Sequence, residues 1–188
     1  MKAIQMYNKA TDWMSNPGDV PLLLIRLLLA YAFLGPAMEK WGNMEATIAW
    51  FGNADWGLGL PFPALNAYMA ATTEIVGVVL LVLGLGTRFI SIPLIFVMLM
   101  AWFTVHIDHG WLAIASSSAN PGVAERLSMT REILQEHGNY SWLTEKGSFV
   151  ILQNGAEFVV TYIVLLLSLI SFGSGRLSLD YLLEKRLK

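Results

Sequence analysis

Apolar residues run almost unbroken through four stretches, Val20 to Met38, Ala64 to Leu85, Phe89 to Ile107 and Phe149 to Phe172, and polar residues gather between them. The stretches are 19, 22, 19 and 24 residues long. A hydrocarbon core of ~30 Å takes about 20 helical residues, so each predicts one membrane crossing. The runs exceed strand length, and irregular backbone facing lipid would leave amides unpaired. The pattern therefore predicts an all-α fold, a polytopic four-transmembrane-helix bundle forming a single membrane domain over 1–188. Gly77, Gly84 and Gly86, with Ala67, Ala70 and Ala71, allow close helix contact, and Pro93 predicts a bend in the third span.

Two long segments separate the spans. The first, 39–63, carries Gly52, Gly57, Gly59, Pro61 and Pro63 and predicts a re-entrant or surface-lying turn of chain. The second, 108–148, predicts an amphipathic helix in the third inter-span loop. Asn120 suits its cap, Pro121 its first position and Gly138 its end, while Val123, Leu127 and Leu134 fall on one stripe. Such a helix lies on the membrane surface or forms a lid over an outward-opening pocket.

Composition narrows the class. Of 188 residues, 55% are hydrophobic and only 14% charged, well under the ~25% charge of a soluble domain. The net charge of −2 argues against nucleic acid as a partner, because phosphates demand a cationic face. Cysteine is absent, so thiol nucleophiles, disulfides and cysteine-held clusters are excluded. No phosphate loop, H-E-x-x-H zinc motif or G-x-S-x-G elbow occurs.

Cation placement predicts orientation. The termini and the turn at Arg88 hold seven Lys and Arg residues, against four in segments 39–63 and 108–148. By the positive-inside rule both termini face the cytoplasm of a bacterial inner membrane, with those two segments outside. Trp41, Trp50, Trp56, Trp111 and Trp142 fall in or beside the outer loops, as interfacial aromatics do. The leader before Val20 carries Asp12 and Asp19 and lacks a small-residue cleavage site, which predicts an uncleaved anchor.

Charge inside a span is expensive, so Arg26, Glu74 and Glu157 are the first candidates for function. Arg26 is expected to reach toward Glu74, as a structural ion pair or as part of a site. Asn154, Glu157, Thr161 and Ser168 are spaced to share one helical face. Met98, Trp102 and His106 are four apart, and His109 follows three later. Grouped by depth, Glu39, His106, His109, Asn154 and Glu157 are expected to line an outward-facing polar pocket floored by Arg26 and Glu74. Carboxylate and imidazole together can hold a divalent metal, relay protons or hydrogen-bond a quinol. Methionine sulfur would favour copper(I), with His106, His109 and Met98 as the candidate metal set.

The chain resembles the DoxX family of four-helix bacterial membrane proteins. The resemblance rests on Arg26, Phe33-Leu34-Gly35 to Glu39-Lys40, and Ala71, Glu74 and Gly77 running into Gly84-Leu85-Gly86-Thr87-Arg88. It continues through His106 and the closing Gly173-Ser174-Gly175-Arg176-Leu177-Ser178-Leu179-Asp180. It implies a quinone-linked or redox accessory role. The long 108–148 segment with His109-Gly110-Trp111 is similar to the HvfX-type branch. That likeness implies copper homeostasis, with maturation or export of a copper-binding modified peptide and with peptide-modification or redox proteins as partners. A quinone-linked oxidoreductase subunit and a non-catalytic membrane scaffold are the rival expectations, and self-association stays open.

Overall fold

A computed structural model of the chain describes residues 19–116 and 121–187. Asn120, the expected cap, and the leader before Asp19 lie outside these residues. Among the described residues regular structure is helical, apart from one isolated bridge between Ile114 and Leu152. The helices are α1 (Asp19–Gly42), α2 (Met44–Gly52), α3 (Pro63–Leu83), α4 (Thr87–Ala101), α5 (Pro121–His137), α6 (Tyr140–Leu143), α7 (Glu157–Phe172) and α8 (Leu179–Leu187). A π-helical turn, Trp102–His106, and a 3₁₀ turn, Ile107–His109, follow α4. The chain forms two compact units, one of residues up to 99 and from 162 onward, the other of residues 100–161.

The first unit is a helical bundle. Leu22, Leu29, Ala30 and Phe33 of α1 meet Leu81, Ile90, Leu94, Leu166 and Leu169 in one core, with Met98 and Tyr162 packed against it. The stripe on α1 recurs every three or four residues, which is the helical period that turns one face inward. Gly77 lets α3 and α4 approach closely, since a Cβ there would stand 2.8 Å from a Leu94 methyl. Leu24, Val79, Ile92, Phe96, Val164 and Leu167 are exposed, while Arg26, Glu74, Thr87 and Ser91 are buried. A water-soluble protein distributes these residue types the other way round. Packing of small and branched side chains, rather than expulsion of water, therefore holds the helices together.

Three helical stretches, Asp19–Gly42, Pro63–Leu83 and Thr87–His109, are long and apolar enough to cross a bilayer. The fourth apolar stretch is helical only over the 16 residues of α7. Residues before Glu157 pair their backbone instead with the 110–115 segment. Ala115 N donates to Ile151 O, Gln153 N and Asn154 N to Ala113 O, and Gly155 N to Leu112 O, all within 2.9–3.0 Å. Gly155 permits this approach, because a Cβ would meet the Leu112 carbonyl at 2.5 Å. The expected polar face of the fourth span is correspondingly broken: Asn154 has φ +60 in the loop, and the Thr161 and Ser168 hydroxyls bond to carbonyls of their own helix.

The predicted amphipathic helix is α5. It starts at Pro121, buries Val123, half-buries Leu127 and Leu134, and ends where Gly138 N bonds to Leu134 O at 3.0 Å. Segment 39–63 is built from the end of α1, the short α2 and a turn in which Asn53 Oδ1 accepts from Asp55 N and Trp56 N.

Candidate functional site

In the first unit the polar centre is Glu74 on α3, whose residue is 2% exposed. Lys40 Nζ lies 3.0 and 2.9 Å from its two carboxylate oxygens. Lys40 stands 14 residues after Arg26 on α1, and Phe33 and Ala37 mark the same inward stripe between them. Helical continuation to Gly42 is what swings Lys40 onto that face; neighbouring Glu39, about 100° away around the helix, is exposed. Trp41 Nε1 adds a hydrogen bond to Ala71 O at 3.3 Å, and its ring meets Tyr68 edge-on at 6.1 Å. Glu74 thus takes its counter-charge from Lys40 rather than from Arg26.

Arg26 works elsewhere. Its fully buried guanidinium donates to Leu81 O at 3.2 Å and to Leu177 O. Both acceptors are carbonyls near a chain reversal, and a cation suits the carbonyl-rich end of α3. Gly84, with φ +64, leaves the space the guanidinium occupies. Asp180 closes the same turn by accepting from Gly86 N at 2.7 Å and Thr87 N at 3.2 Å. Among the described residues Arg26 makes no ion pair, so it is a staple between backbone segments.

In the second unit, His106 Nδ1 is 2.7 Å from Asn154 O. A carbonyl only accepts, so Nδ1 carries the proton and Nε2 is left with its lone pair when the ring is neutral. Glu157 Oε2 accepts from Ala113 N at 3.1 Å, and Gln153 Nε2 donates to His109 O at 2.8 Å. The His109 side chain itself is exposed. His106 closes a π-helical turn, a distortion that often marks functional positions. Of the expected metal set, Met98 packs against the apolar core of the first unit, while His106 and His109 belong to the second. Among the described residues no three His, Asp or Glu side chains gather as a metal group.

Sequence reasoning placed Lys40 in a loop and missed it as the partner of Glu74. The available signal was the spacing 26, 33, 37, 40, which continues the apolar stripe past the last apolar residue.

An all-helical chain with an apolar exterior, charged groups inside and bilayer-length helices is a multi-pass membrane protein embedded in lipid. Residues 21–107 match the DoxX family model. A Haemophilus influenzae protein described as uncharacterized is 28% identical over 170 residues, covering 88% of this chain and 85% of its own length. A Bacillus subtilis protein bearing the name "Putative oxidoreductase CatD" is 31% identical over 94 residues, covering 50% of this chain and 66% of that protein. No solved structure matches.

Proposed function

We propose that this chain is a redox accessory protein of the bacterial inner membrane, with both termini cytoplasmic, and that the Lys40–Glu74 couple is its working centre. The observation that carries the reading is a carboxylate held inside an apolar bundle by one ammonium group, an arrangement that is costly in lipid and rarely kept without use. The DoxX match, which contains both residues, and the oxidoreductase name of the Bacillus relative support the redox class.

Proton transfer from Lys40 Nζ to Glu74 would replace an ion pair by two neutral groups at unchanged net charge, so the couple can hold a proton on either side chain without opening the bundle. A quinone is the implied redox group; bound here, it would supply two-electron, two-proton chemistry. The residues fit its carbonyl oxygen, because Lys40 is the accessible donor of the pair, its side chain 20% exposed against 3% for Glu74. Lys40 would donate to that oxygen, and Glu74 would hold the ammonium in place.

A second reading, copper handling of the HvfX type in support of a modified peptide, is favoured by His106. Its Nδ1 is committed to a backbone carbonyl, the support that orients metal-ligating imidazoles, and its Nε2 is left free to bind.

The test is to purify the protein in mild detergent, extract its lipids for quinone and measure its metals. The redox reading expects near-stoichiometric quinone that Lys40→Met loses and His106→Ala keeps. Copper lost in His106→Ala, without quinone, gives the second reading instead. Neither ligand, with unaltered cellular function in both variants, leaves a membrane scaffold.

A further inference from the structure

A cavity of about 560 Å³ opens at the end of the first unit where the turn at Gly86 meets residues 172–176. Its charges are unevenly committed. The carboxylate of Asp180 is occupied by the Gly86 and Thr87 amides. Asp19 accepts from Arg176 N at 2.6 Å and from Arg176 Nε at 2.7 Å, so both its oxygens are used. The Asp19 carboxylate in turn pushes the Arg176 guanidinium above its ordinary range and keeps it charged. Glu184, also on the wall, is engaged as well.

Arg88 is different. It lines the cavity, is exposed, and makes no ion pair or side-chain hydrogen bond among the described residues. Its guanidinium lies against Gly173, where a Cβ would stand 3.2 Å from Nη2 and 3.3 Å from Nε. Gly173 has φ +82, so the absent side chain both permits the turn and leaves the guanidinium face uncovered. Phe89, 81% exposed, and Phe172, 66% exposed, stand on the same wall at the ends of two apolar helices.

We infer that this cavity binds the phosphate of an anionic phospholipid. Arg88 supplies a planar fork of donors that matches a phosphate diester, and the Nη groups of Arg176 remain to assist. Phe89 and Phe172 offer apolar surface to the acyl chains, which a free anion would not use. The lining holds two arginines against three acids, but all three acids are already engaged, so Arg88 is left as the uncommitted charge at the end of a helical bundle, where acidic lipid headgroups are taken up. The inference is independent of the redox reading, since it shares no residue with the Lys40–Glu74 couple.

Native mass spectrometry of the full chain tests it, with phosphatidylglycerol and phosphatidylcholine supplied in equal amounts. The expected result is preferential retention of phosphatidylglycerol. Arg88→Gln should reduce that retention by about tenfold, the scale of one lost charge-assisted contact. Arg126→Gln, in the second unit, should leave it unchanged. Arg88→Lys should retain part of it, which separates lost charge from misfolding. Equal retention of the two lipids, or full retention by Arg88→Gln, overturns the inference. Displacement by millimolar inorganic phosphate also overturns it, because the site would then be one for a small anion.

Discussion

Lys40 Nζ sits within 3.0 Å of both carboxylate oxygens of Glu74, so a residue from the end of one span neutralises an acid at the middle of the next. Severing such a pair strands the surviving charge in a poorly solvated place. Breaking a buried pair costs about 3–5 kcal/mol, and the partial exposure of Lys40 moves the expectation to the lower end. Lys40→Met and Glu74→Leu should each lower the melting temperature in detergent, and the double replacement should recover most of the loss. Additive losses in a double-mutant cycle would show that the two side chains are not coupled.

Gly84 and Gly86 separate two costs of replacing glycine. Both have positive φ, but a Cβ at Gly84 would collide with the Arg26 guanidinium, whereas nothing lies within 4 Å of one at Gly86. Gly86→Ala should cost about 1 kcal/mol from backbone strain alone. Gly84→Ala should cost clearly more, because Arg26 must leave its carbonyl acceptors. Thermal unfolding of the two variants side by side checks the order, and equal losses would deny Arg26 its role as a staple.

Much of the bundle was legible in the sequence because apolar length and helical period are properties of single segments. The spans ending near Met38 and Leu85 lie within or close to α1 and α3, and the helix starting at Pro121 was visible from its proline, stripe and terminal glycine. The start of the fourth helix was not legible. Phe149 to Ile151 continues the apolar run, but the backbone from Ile151 to Glu157 is claimed by residues 110–115, and pairing over some forty residues leaves no periodic trace. The partner of Glu74 was hidden for a related reason: hydropathy ended the first span at Met38, while the helix continues to Gly42 and carries Lys40 inward.

The pairing in the second unit makes Glu157 a backbone acceptor. Glu157→Ala should speed hydrogen exchange at the Ala113 amide, while Glu157→Gln, which keeps an acceptor oxygen, should change it little. Asn154 sits at φ +60, so Asn154→Gly should be tolerated better than Asn154→Ala in the same exchange experiment.

His106 should show the Nδ1-protonated form when neutral, because the Asn154 carbonyl can only accept. Nitrogen-15 spectra of histidine-labelled protein read the tautomer directly. An Nε2-protonated ring would mean that this hydrogen bond is absent and would remove the support for metal binding at Nε2.

The central claim is that Glu74 does chemistry as well as hold helices together. Its most direct measurement is oxidant survival of a deletion strain carrying Glu74→Gln, with membrane abundance of the variant quantified alongside. Glutamine keeps the shape and a hydrogen-bond acceptor for Lys40 but cannot exchange a proton. The expected result is survival at the level of the deletion strain, out of proportion to any fall in abundance caused by the unpaired Lys40 charge. Normal abundance with full survival would contradict it.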